Sequence, residues 1–341
     1  MNGIGLNACV EDVGLTVHTD GGEDEITCTA SRGGVQGVRT NMCSVPSTDT
    51  STDGTGIDSN LPRAARCTRR HRAGLPHAPI RPMNWRSQQH SFAALSGCSV
   101  ALVDGKNGLM TSEQVSSSIR KAEGSLSHYP NGSLVCVENT AQGGGGSVYS
   151  QEAIDDICKV AREKDCKLHM DGARLFNASV ASNTDPARMV RDFDSISICL
   201  SKGLGAPIGS VLVGSKEDLA QAHRWRKMFG GGMRQAGMMA AAGIYALENN
   251  IDRLREDHRR ARKFAESLVE MPNFLVNLET VQSNIVYIGV GKGKSKQIIE
   301  KLAKQDIDIL DTDDSTIRAV FHLHIGDEDL EKIIEVFAQL R

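Results

Sequence analysis

The sequence lacks the cysteine patterns that bind metals or build disulfide frameworks. Its nine cysteines are scattered along 341 residues, with no Cys-x-x-Cys pair and no short metal-ligand spacing. We therefore expect no metal site and no disulfide network. Free thiols in this number suit a reducing compartment, so we expect the protein to be cytoplasmic.

Long apolar runs and a strong excess of one charge are also missing. The longest apolar stretch, near Met238–Leu247, is too short to cross a bilayer. The N-terminus lacks the basic start and the continuous apolar core of a signal peptide. A net charge of −3 gives no reason to expect a polyanionic partner. The composition therefore predicts a globular protein that binds neither a membrane nor nucleic acid.

Residues 1–91 differ in composition from the rest of the chain. They are rich in Ser, Thr, Gly and Arg, as in TDTSTDGTG (Thr48–Gly56) and RAARCTRRHR (Arg63–Arg72). Such segments bury too little apolar surface to offset the entropy that ordering removes. We predict that residues 1–91 are an atypical segment, either disordered or incorrectly assigned in the gene. For the basic run, a solvated disordered segment is favoured over a targeting signal or a nucleic-acid patch.

From residue 92 onward, strand and helix patterns alternate. The run SLVCVE (Ser133–Glu138) predicts a strand, and the apolar positions of 151–164 share one face of a helix. KLHM (Lys167–Met170) predicts a second strand, so the three segments form a β-α-β unit typical of a parallel sheet. The four glycines at 143–146 predict a flexible loop between the first strand and the helix.

The other segments extend this large domain and then predict a smaller one. A capping box at Thr111–Gln114 opens a helix that runs through about residue 121. Further helices are expected near 174–181, 215–228, 234–249, 250–271, 295–304 and 327–340, and strands near 196–200, 208–214, 284–290, 307–310 and 316–321. We predict a large domain over 92–248, incomplete on its N-terminal side, and a small C-terminal domain over 249–341.

One lysine stands between an apolar run and a glycine-rich bend. In CLSKGLGAPIGS (Cys199–Ser210), Lys202 follows a strand that we expect to be buried. A lysine at the end of such a strand loses hydration, which disfavours its charged form. A neutral amine is a nucleophile that bonds to carbonyl compounds. The ordinary alternative is a lysine on a solvated loop.

A second ionisable residue follows a neighbouring strand. Asp171 comes directly after KLHM, and sites in doubly wound sheets form at the carboxyl ends of the strands. If the ligand is pyridoxal phosphate, Lys202 would bond to its aldehyde. Asp171 would then keep the pyridine nitrogen protonated, so that the ring withdraws electrons from a carbanion. The ordinary alternative for Asp171 is a helix N-cap.

Three long motifs, in the expected order, resemble the low-specificity L-threonine aldolases. They are HMDGARLFNASVA (His169–Ala181), DSISICLSKGLGAPIGSVLVGS (Asp194–Ser215) and RKMFGGGMRQAGMMAAAGIYALE (Arg226–Glu248). The resemblance implies the α/β fold of the fold-type-I pyridoxal-phosphate enzymes, with a large parallel-sheet domain and a small C-terminal α/β domain. It implies pyridoxal 5′-phosphate as cofactor and cleavage of L-threonine or L-allo-threonine to glycine and acetaldehyde. It also implies a homodimer or homotetramer.

The same resemblance implies roles for individual residues. Lys202 would be the Schiff-base lysine, and Asp171 would be the partner of the ring nitrogen. Arg174 would contact the cofactor or the substrate carboxylate. Arg318 would grip that carboxylate, which suits a bidentate guanidinium fork.

Two further matches and two departures complete the comparison with the family pattern. Ser201 would donate a hydrogen bond near the cofactor, and Arg234 would approach its phosphate, from a neighbouring subunit. The phosphate-binding segment and the histidine that stacks on the ring are not found in residues 1–91. After VENT (Val137–Thr140), Ala141 and Gln142 replace the usual His-Asn pair. Ala141 cannot assist removal of a hydroxyl proton. Because no phosphate-binding segment is found, we expect weak cofactor binding and impaired activity.

The sequence leaves three alternatives to an ordinary aldolase open. The chain could be another fold-type-I lyase or transaminase that shares the lysine. It could be a non-catalytic protein that keeps the fold as a binding or partner subunit. It could also be a shortened gene model of an aldolase.

Overall fold

The computed structural model describes residues 95–121 and 130–340, together with four short strands at 7–8, 15–18, 27–30 and 76–79. The predictions made for residues 1–91 therefore fall almost entirely outside the described residues. The described part contains a large mixed sheet with helices, followed by a smaller antiparallel sheet with helices of its own.

The large sheet has seven strands in the order β1-β9-β8-β7-β6-β4-β5. Neighbours from β5 through β4, β6 and β7 to β8 are parallel, whereas β9 runs antiparallel to β8 and to β1. The parallel core confirms the predicted fold class. The strands are β1 (Asn7–Ala8), β4 (Pro76–Pro79), β5 (Ala101–Val103), β6 (Leu134–Glu138), β7 (Lys167–Asp171), β8 (Ser195–Cys199) and β9 (Ser210–Gly214), while β2 (Leu15–His18) and β3 (Thr27–Ala30) form a separate antiparallel pair.

Strand β4 lies between β5 and β6, in the interior of the sheet. Its register pairs residue 76 with Leu134 and residue 77 with Ala101 and Val135. The strand precedes residue 92, where the composition predicts the large domain to begin. That boundary stays a prediction, and the sheet includes backbone from the N-terminal side of it.

The predicted β-α-β unit is present. Helix α2 (Gln151–Glu163) connects the parallel strands β6 and β7, and the Ser150 side chain caps it by accepting a hydrogen bond from the Ala153 amide at 3.2 Å. Ile154 and Ile157 are buried against one face of the sheet, in the largest hydrophobic cluster. The helix therefore covers the face from which the apolar residues of β6 and β7 project.

The remaining helices follow the predicted pattern, with one addition. The capping box predicted at Thr111–Gln114 is formed, and α4 is a five-residue helix that the sequence patterns did not predict. No helix in the described ranges is long and apolar enough to cross a membrane. The helices are α1 (Ser112–Ser118), α3 (Leu175–Ser182), α4 (Pro186–Val190), α5 (Lys216–Met228), α6 (Gly237–Asn249), α7 (Leu254–Val269), α8 (Ser295–Ala303) and α9 (Asp327–Gln339).

The glycine segment after β6 is a packed turn, so the prediction of a flexible loop was wrong. A 3-10 turn at Gln142–Gly144 opens it, and Gly145 has a φ of 88°. A Cβ on Gly146 would lie 2.2 Å from the Ser283 hydroxyl oxygen. Glycine is needed here because the backbone lies directly against the small domain, rather than because the segment moves.

The small domain contains a three-stranded antiparallel sheet in the order β10-β12-β11, made of β10 (Ile285–Gly289), β11 (Leu310–Asp311) and β12 (Thr316–Val320). Its core is built around Phe264 of α7 and Phe337 of α9, whose ring centroids lie 5.1 Å apart in an edge-to-face arrangement. These elements match the C-terminal α/β pattern that the sequence predicts.

Candidate active site

The carboxyl ends of two neighbouring strands bring two acidic side chains together. Glu138 at the end of β6 pairs in register with Asp171 at the end of β7, and Asp171 pairs with Ser197 of β8. Side chains at paired positions point to the same face of a sheet. Two carboxyl groups therefore lie side by side at the sheet edge where ligands bind in α/β folds.

Lys202 follows β8 by three residues, at this same edge of the sheet. Its carbonyl accepts a hydrogen bond from the Gly205 amide at 2.8 Å, which closes a tight turn. The expectation that Lys202 loses hydration was wrong for the single chain, because Lys202 and its neighbour Ser201 are both exposed. Strand β8 ends at Cys199, Leu200 is still buried, and the chain then turns out to the surface.

Arg174 and Arg318 approach each other from the two domains. Arg174 immediately precedes α3, and Arg318 lies in the middle of β12. Burial lowers the pKa of Arg174, the nearby Glu138 carboxylate opposes this shift, and the positive charge of Arg318 adds to it. Arg174 Nη1 and Arg318 Nε are both buried and have no hydrogen-bond partner within the described residues. Two close guanidinium groups repel each other, so this arrangement favours an anion between them.

Glu138 is a candidate residue that the sequence analysis missed. Its side chain is 6% exposed, one carboxylate oxygen accepts a hydrogen bond from the Gln142 amide at 3.3 Å, and the other has no partner among the described residues. Burial and the negative charge of Asp171 raise the pKa of Glu138 to about 7, against the opposing charges of Arg174 and Lys202. A glutamate at the carboxyl end of an apolar strand, level with Asp171, was the signal that could have found it.

His169 lies on the same sheet face as Asp171, two residues earlier in β7. Its Nδ1 lies 2.8 Å from the Ser195 hydroxyl, and burial lowers the pKa of the imidazole despite the opposing charge of Asp171. His169 is therefore a packed, hydrogen-bonded histidine.

Two residues that the sequence analysis singled out, Arg234 and Ala141, do not belong to this group of charged side chains. Arg234 is exposed in the connection between α5 and α6, and within residues 95–121 and 130–340 it makes no hydrogen bond or ion pair with the other candidates. Ala141 is only 1% exposed and packs against Gly108. The side chain that replaces the family's histidine is therefore a small, buried methyl group.

A protein-family model described as β-eliminating lyase matches residues 64–290. This is more than half of the chain. The chain belongs to the β-eliminating lyase family. The match confirms the family to which the sequence motifs pointed, and it begins before the domain boundary predicted near residue 92.

Curated relatives of this chain include proteins named as threonine aldolases. The probable low-specificity L-threonine aldolase 2 of Arabidopsis thaliana is 40% identical over 239 residues, which cover 69% of this chain and 67% of the relative. The low specificity L-threonine aldolase of Escherichia coli K12 is 40% identical over 206 residues, 60% of each chain. The chain thus spans about two thirds or less of the length of the curated relatives it matches.

Solved structures share the fold of this chain. A putative L-allo-threonine aldolase from Listeria monocytogenes superimposes with a TM-score of 0.65 at 18% identity, covering 81% of this chain and 77% of that one. The Leishmania major threonine aldolase gives a TM-score of 0.65 at 19% identity, covering 78% and 77%. A C-DES mutant with glycine covalently linked to its PLP cofactor gives 0.57 at 15% identity, covering 80% and 76%. These likenesses confirm a fold-type-I architecture.

The residues gathered at this edge of the sheet would fit pyridoxal phosphate with a bound amino acid. An amine suits the cofactor aldehyde, a carboxylate suits a protonated pyridine nitrogen, and guanidinium groups suit a carboxylate. Buried polar atoms are rarely left without partners in folded proteins. The unpaired atoms of Arg174, Arg318 and Glu138 therefore indicate where polar ligand groups would bind.

Replacing Glu138 with glutamine should change how the free energy of unfolding of the chain depends on pH. The pKa of Glu138 is raised from 4.5 to about 7, so near pH 6 the folded chain holds a proton that the unfolded chain has released. This contribution to stability is present in acid and is lost as the pH rises through about 7. A neutral amide does not titrate. Between about pH 5 and 8, the free energy of unfolding of E138Q should therefore fall by up to about 3 kcal/mol less than that of the unsubstituted chain.

Urea unfolding followed by circular dichroism over this pH range measures the difference. Glu163→Gln is the matched control, because Glu163 is an exposed glutamate at the end of α2. Parallel pH profiles for E138Q and the unsubstituted chain would show that Glu138 ionises like an exposed carboxylate.

Proposed function

We propose that this chain cleaves threonine and related β-hydroxy-α-amino acids to glycine and an aldehyde, with pyridoxal 5′-phosphate as cofactor. The observation that carries the proposal is the alignment of Glu138 and Asp171 at the strand ends, with Lys202 following the next strand. Family membership and the names of the relatives support it over a non-catalytic binding subunit. They support threonine-type substrates over those of transaminases.

In this proposal Lys202 and Asp171 hold the cofactor. Pyridoxal phosphate supplies an electron sink for the carbanion formed when a bond to the α-carbon breaks. Lys202 Nζ would be the nucleophile that holds the cofactor, and exposure in the single chain leaves it accessible. The Asp171 carboxylate would face the ring nitrogen and keep a proton there. Ser201, adjacent to the lysine, is proposed to donate a hydrogen bond to the cofactor.

Arg174 and Arg318 are proposed to bind the substrate carboxylate. Their guanidinium groups approach from the large and small domains, and each has a buried nitrogen without a partner among the described residues. A carboxylate between them would accept hydrogen bonds from both and relieve their repulsion. This contact would also fix the amino acid relative to Lys202.

The proton of the substrate hydroxyl needs an acceptor. Ala141 carries no group that can take it, whereas a carboxyl with a pKa of about 7 can both accept and return a proton at neutral pH. We propose that Glu138 holds this proton. The hydroxyl O–H bond breaks, and its proton moves to the free carboxylate oxygen of Glu138. The oxygen forms a carbonyl with Cβ as the Cα–Cβ bond breaks, and the electron pair of that bond stays on Cα, where the cofactor would stabilise it.

Activity on L-allo-threonine is the test, with Asp171→Asn as the diagnostic variant. The amide cannot keep the ring nitrogen protonated, so the transition state should lose on the order of 2–4 kcal/mol of stabilisation and turnover should fall accordingly. Cofactor retention should change less. Asp165→Asn is the control, because Asp165 is an exposed aspartate in the turn before β7. Glycine release is measured by mass spectrometry and acetaldehyde by a coupled dehydrogenase assay. Equal turnover in both variants would contradict the role of Asp171, and no glycine from any form of the chain would contradict the function.

We also propose that two copies of this chain associate through an exposed apolar segment. Phe229, Met233, Met238 and Tyr245 lie within one stretch and are 53%, 60%, 79% and 63% exposed. Apolar groups concentrated in this way mark association surfaces. Arg234 lies within this stretch, so association would let it contribute to the phosphate site of the partner, as the family resemblance implies.

Met238→Glu should weaken the proposed association, because it buries a charge at the interface. Light scattering coupled to size exclusion should show a lower mass for M238E than for the unsubstituted chain at equal concentration. Leu275→Glu is the control, since Leu275 is 78% exposed in the small domain. A monomeric unsubstituted chain, or equal masses for all three, would contradict the proposal.

A further inference from the structure

The turn that carries Lys202 is held by side chains from the junction of α6 and α7. Asn250 Nδ2 donates a hydrogen bond to the Leu204 carbonyl at 2.7 Å. Arg253 Nη1 donates to the Gly203 carbonyl at 3.5 Å. These carbonyls belong to the first two residues after Lys202, so the lysine is followed directly by a backbone segment fixed from outside its own strand.

Gly203 lies in close contact with two other elements. A Cβ at this position would lie 3.0 Å from Leu254 Cδ2 and 3.2 Å from Asn177 Oδ1. Leu254 has no exposed area, and Asn177 is 3% exposed. The backbone after Lys202 therefore rests on the first turn of α7 and on α3, and no larger residue fits there without displacing them.

The groups that hold the turn are themselves fixed by buried polar contacts. Arg253 forms an ion pair with Asp257, which has no exposed area, and burial raises the pKa of Asp257 against the opposing charge of Arg253. Asn177 Nδ2 donates to His258 Nε2 at 3.0 Å. Burial and the charge of Arg255 lower the pKa of His258 to about 4, so its imidazole is neutral at pH 7 and can accept this bond.

We propose that Asn250 and Arg253 are positioning residues for Lys202. The Lys202 side chain makes no hydrogen bond or ion pair within the described residues, so the direction of its amine depends on the backbone of the turn. Asn250 and Arg253 set that backbone through the two carbonyls. This inference rests on the proposed function of Lys202, and it adds residues that never touch the substrate or the cofactor.

Amide hydrogen exchange in the cofactor-free chain tests the proposal through Asn250→Ala. The reporters are the amides of Gly205 and Ala206, which donate to the carbonyls of Lys202 and Leu200. Losing one hydrogen bond to the turn should speed their exchange about fivefold. Asn249→Ala is the matched control, because Asn249 Nδ2 donates at 2.9 Å to the Tyr245 carbonyl within its own helix.

A second readout uses pyridoxal phosphate as the probe. N250A should raise the dissociation constant of the cofactor about fivefold relative to N249A, at equal thermal midpoints. Arg253→Lys should behave like N250A, since a lysine keeps a charge beside Asp257 but lacks the fork that also reaches Gly203. The substitution Arg253→Ala is not used, because it would leave the buried Asp257 carboxylate without its ion-pair partner and unfold the chain.

The outcomes separate this proposal from the proposed function. Equal exchange at Gly205 and Ala206 in N250A and N249A overturns the positioning role, whatever the chain binds. Faster exchange in N250A with unchanged cofactor affinity also overturns it, because the turn would then move without consequence for Lys202. If the unsubstituted chain binds no pyridoxal phosphate, the proposed function fails, and the exchange result alone decides whether the turn is held by Asn250.

Discussion

The register between β6, β7 and β8 is the constraint on which the candidate site depends. Two hydrogen bonds continue the ladder past the strand ends, from the Asn139 amide to the Asp171 carbonyl at 3.0 Å and from the Gly172 amide to the Ser197 carbonyl at 2.8 Å. The chain therefore leaves neighbouring strands at one level. A slip of one residue would turn Glu138 or Asp171 onto the opposite face, where α2 packs and where a charge would be strongly unfavourable. Packing of the apolar sheet face against α2 thus determines which side chains lie on the opposite face, at the site.

Charge balance is the second feature that this arrangement creates. Two carboxyl groups lie beside each other, and Arg174 lies close to both and to a second guanidinium. Each buried ionisable group is tolerated because an opposite charge is near. Within residues 95–121 and 130–340, however, buried polar atoms of Glu138 and Arg174 have no hydrogen-bond partner. Such incomplete pairing lowers stability, and a ligand that carries both a cationic ring and a carboxylate would complete it. Selection for binding explains this arrangement better than selection for stability.

Apart from the five-residue helix α4, the sequence predicted the order of helices and strands from residue 111 onward, since amphipathic periods and capping signals are local. Helix α2, for example, was expected over 151–164 and spans Gln151–Glu163. Glu138 was missed because its importance comes from the residue beside it in the next strand, which local pattern does not reveal. Asn250 and Arg253 were missed for the same reason, as their contacts cross about 50 residues of chain. The glycine segment was misjudged because Ser283, which fills the space beside Gly146, is remote in sequence.

The identity of the lysine that bonds to the cofactor tests the central claim most directly. The chain is incubated with pyridoxal phosphate, reduced with borohydride and digested, and the peptides are mapped by mass spectrometry. The account predicts a single pyridoxyl group on the peptide that contains Lys202, and none at any site in a Lys202→Ala chain. A stoichiometric label on another lysine, with Lys202 unmodified, would contradict it.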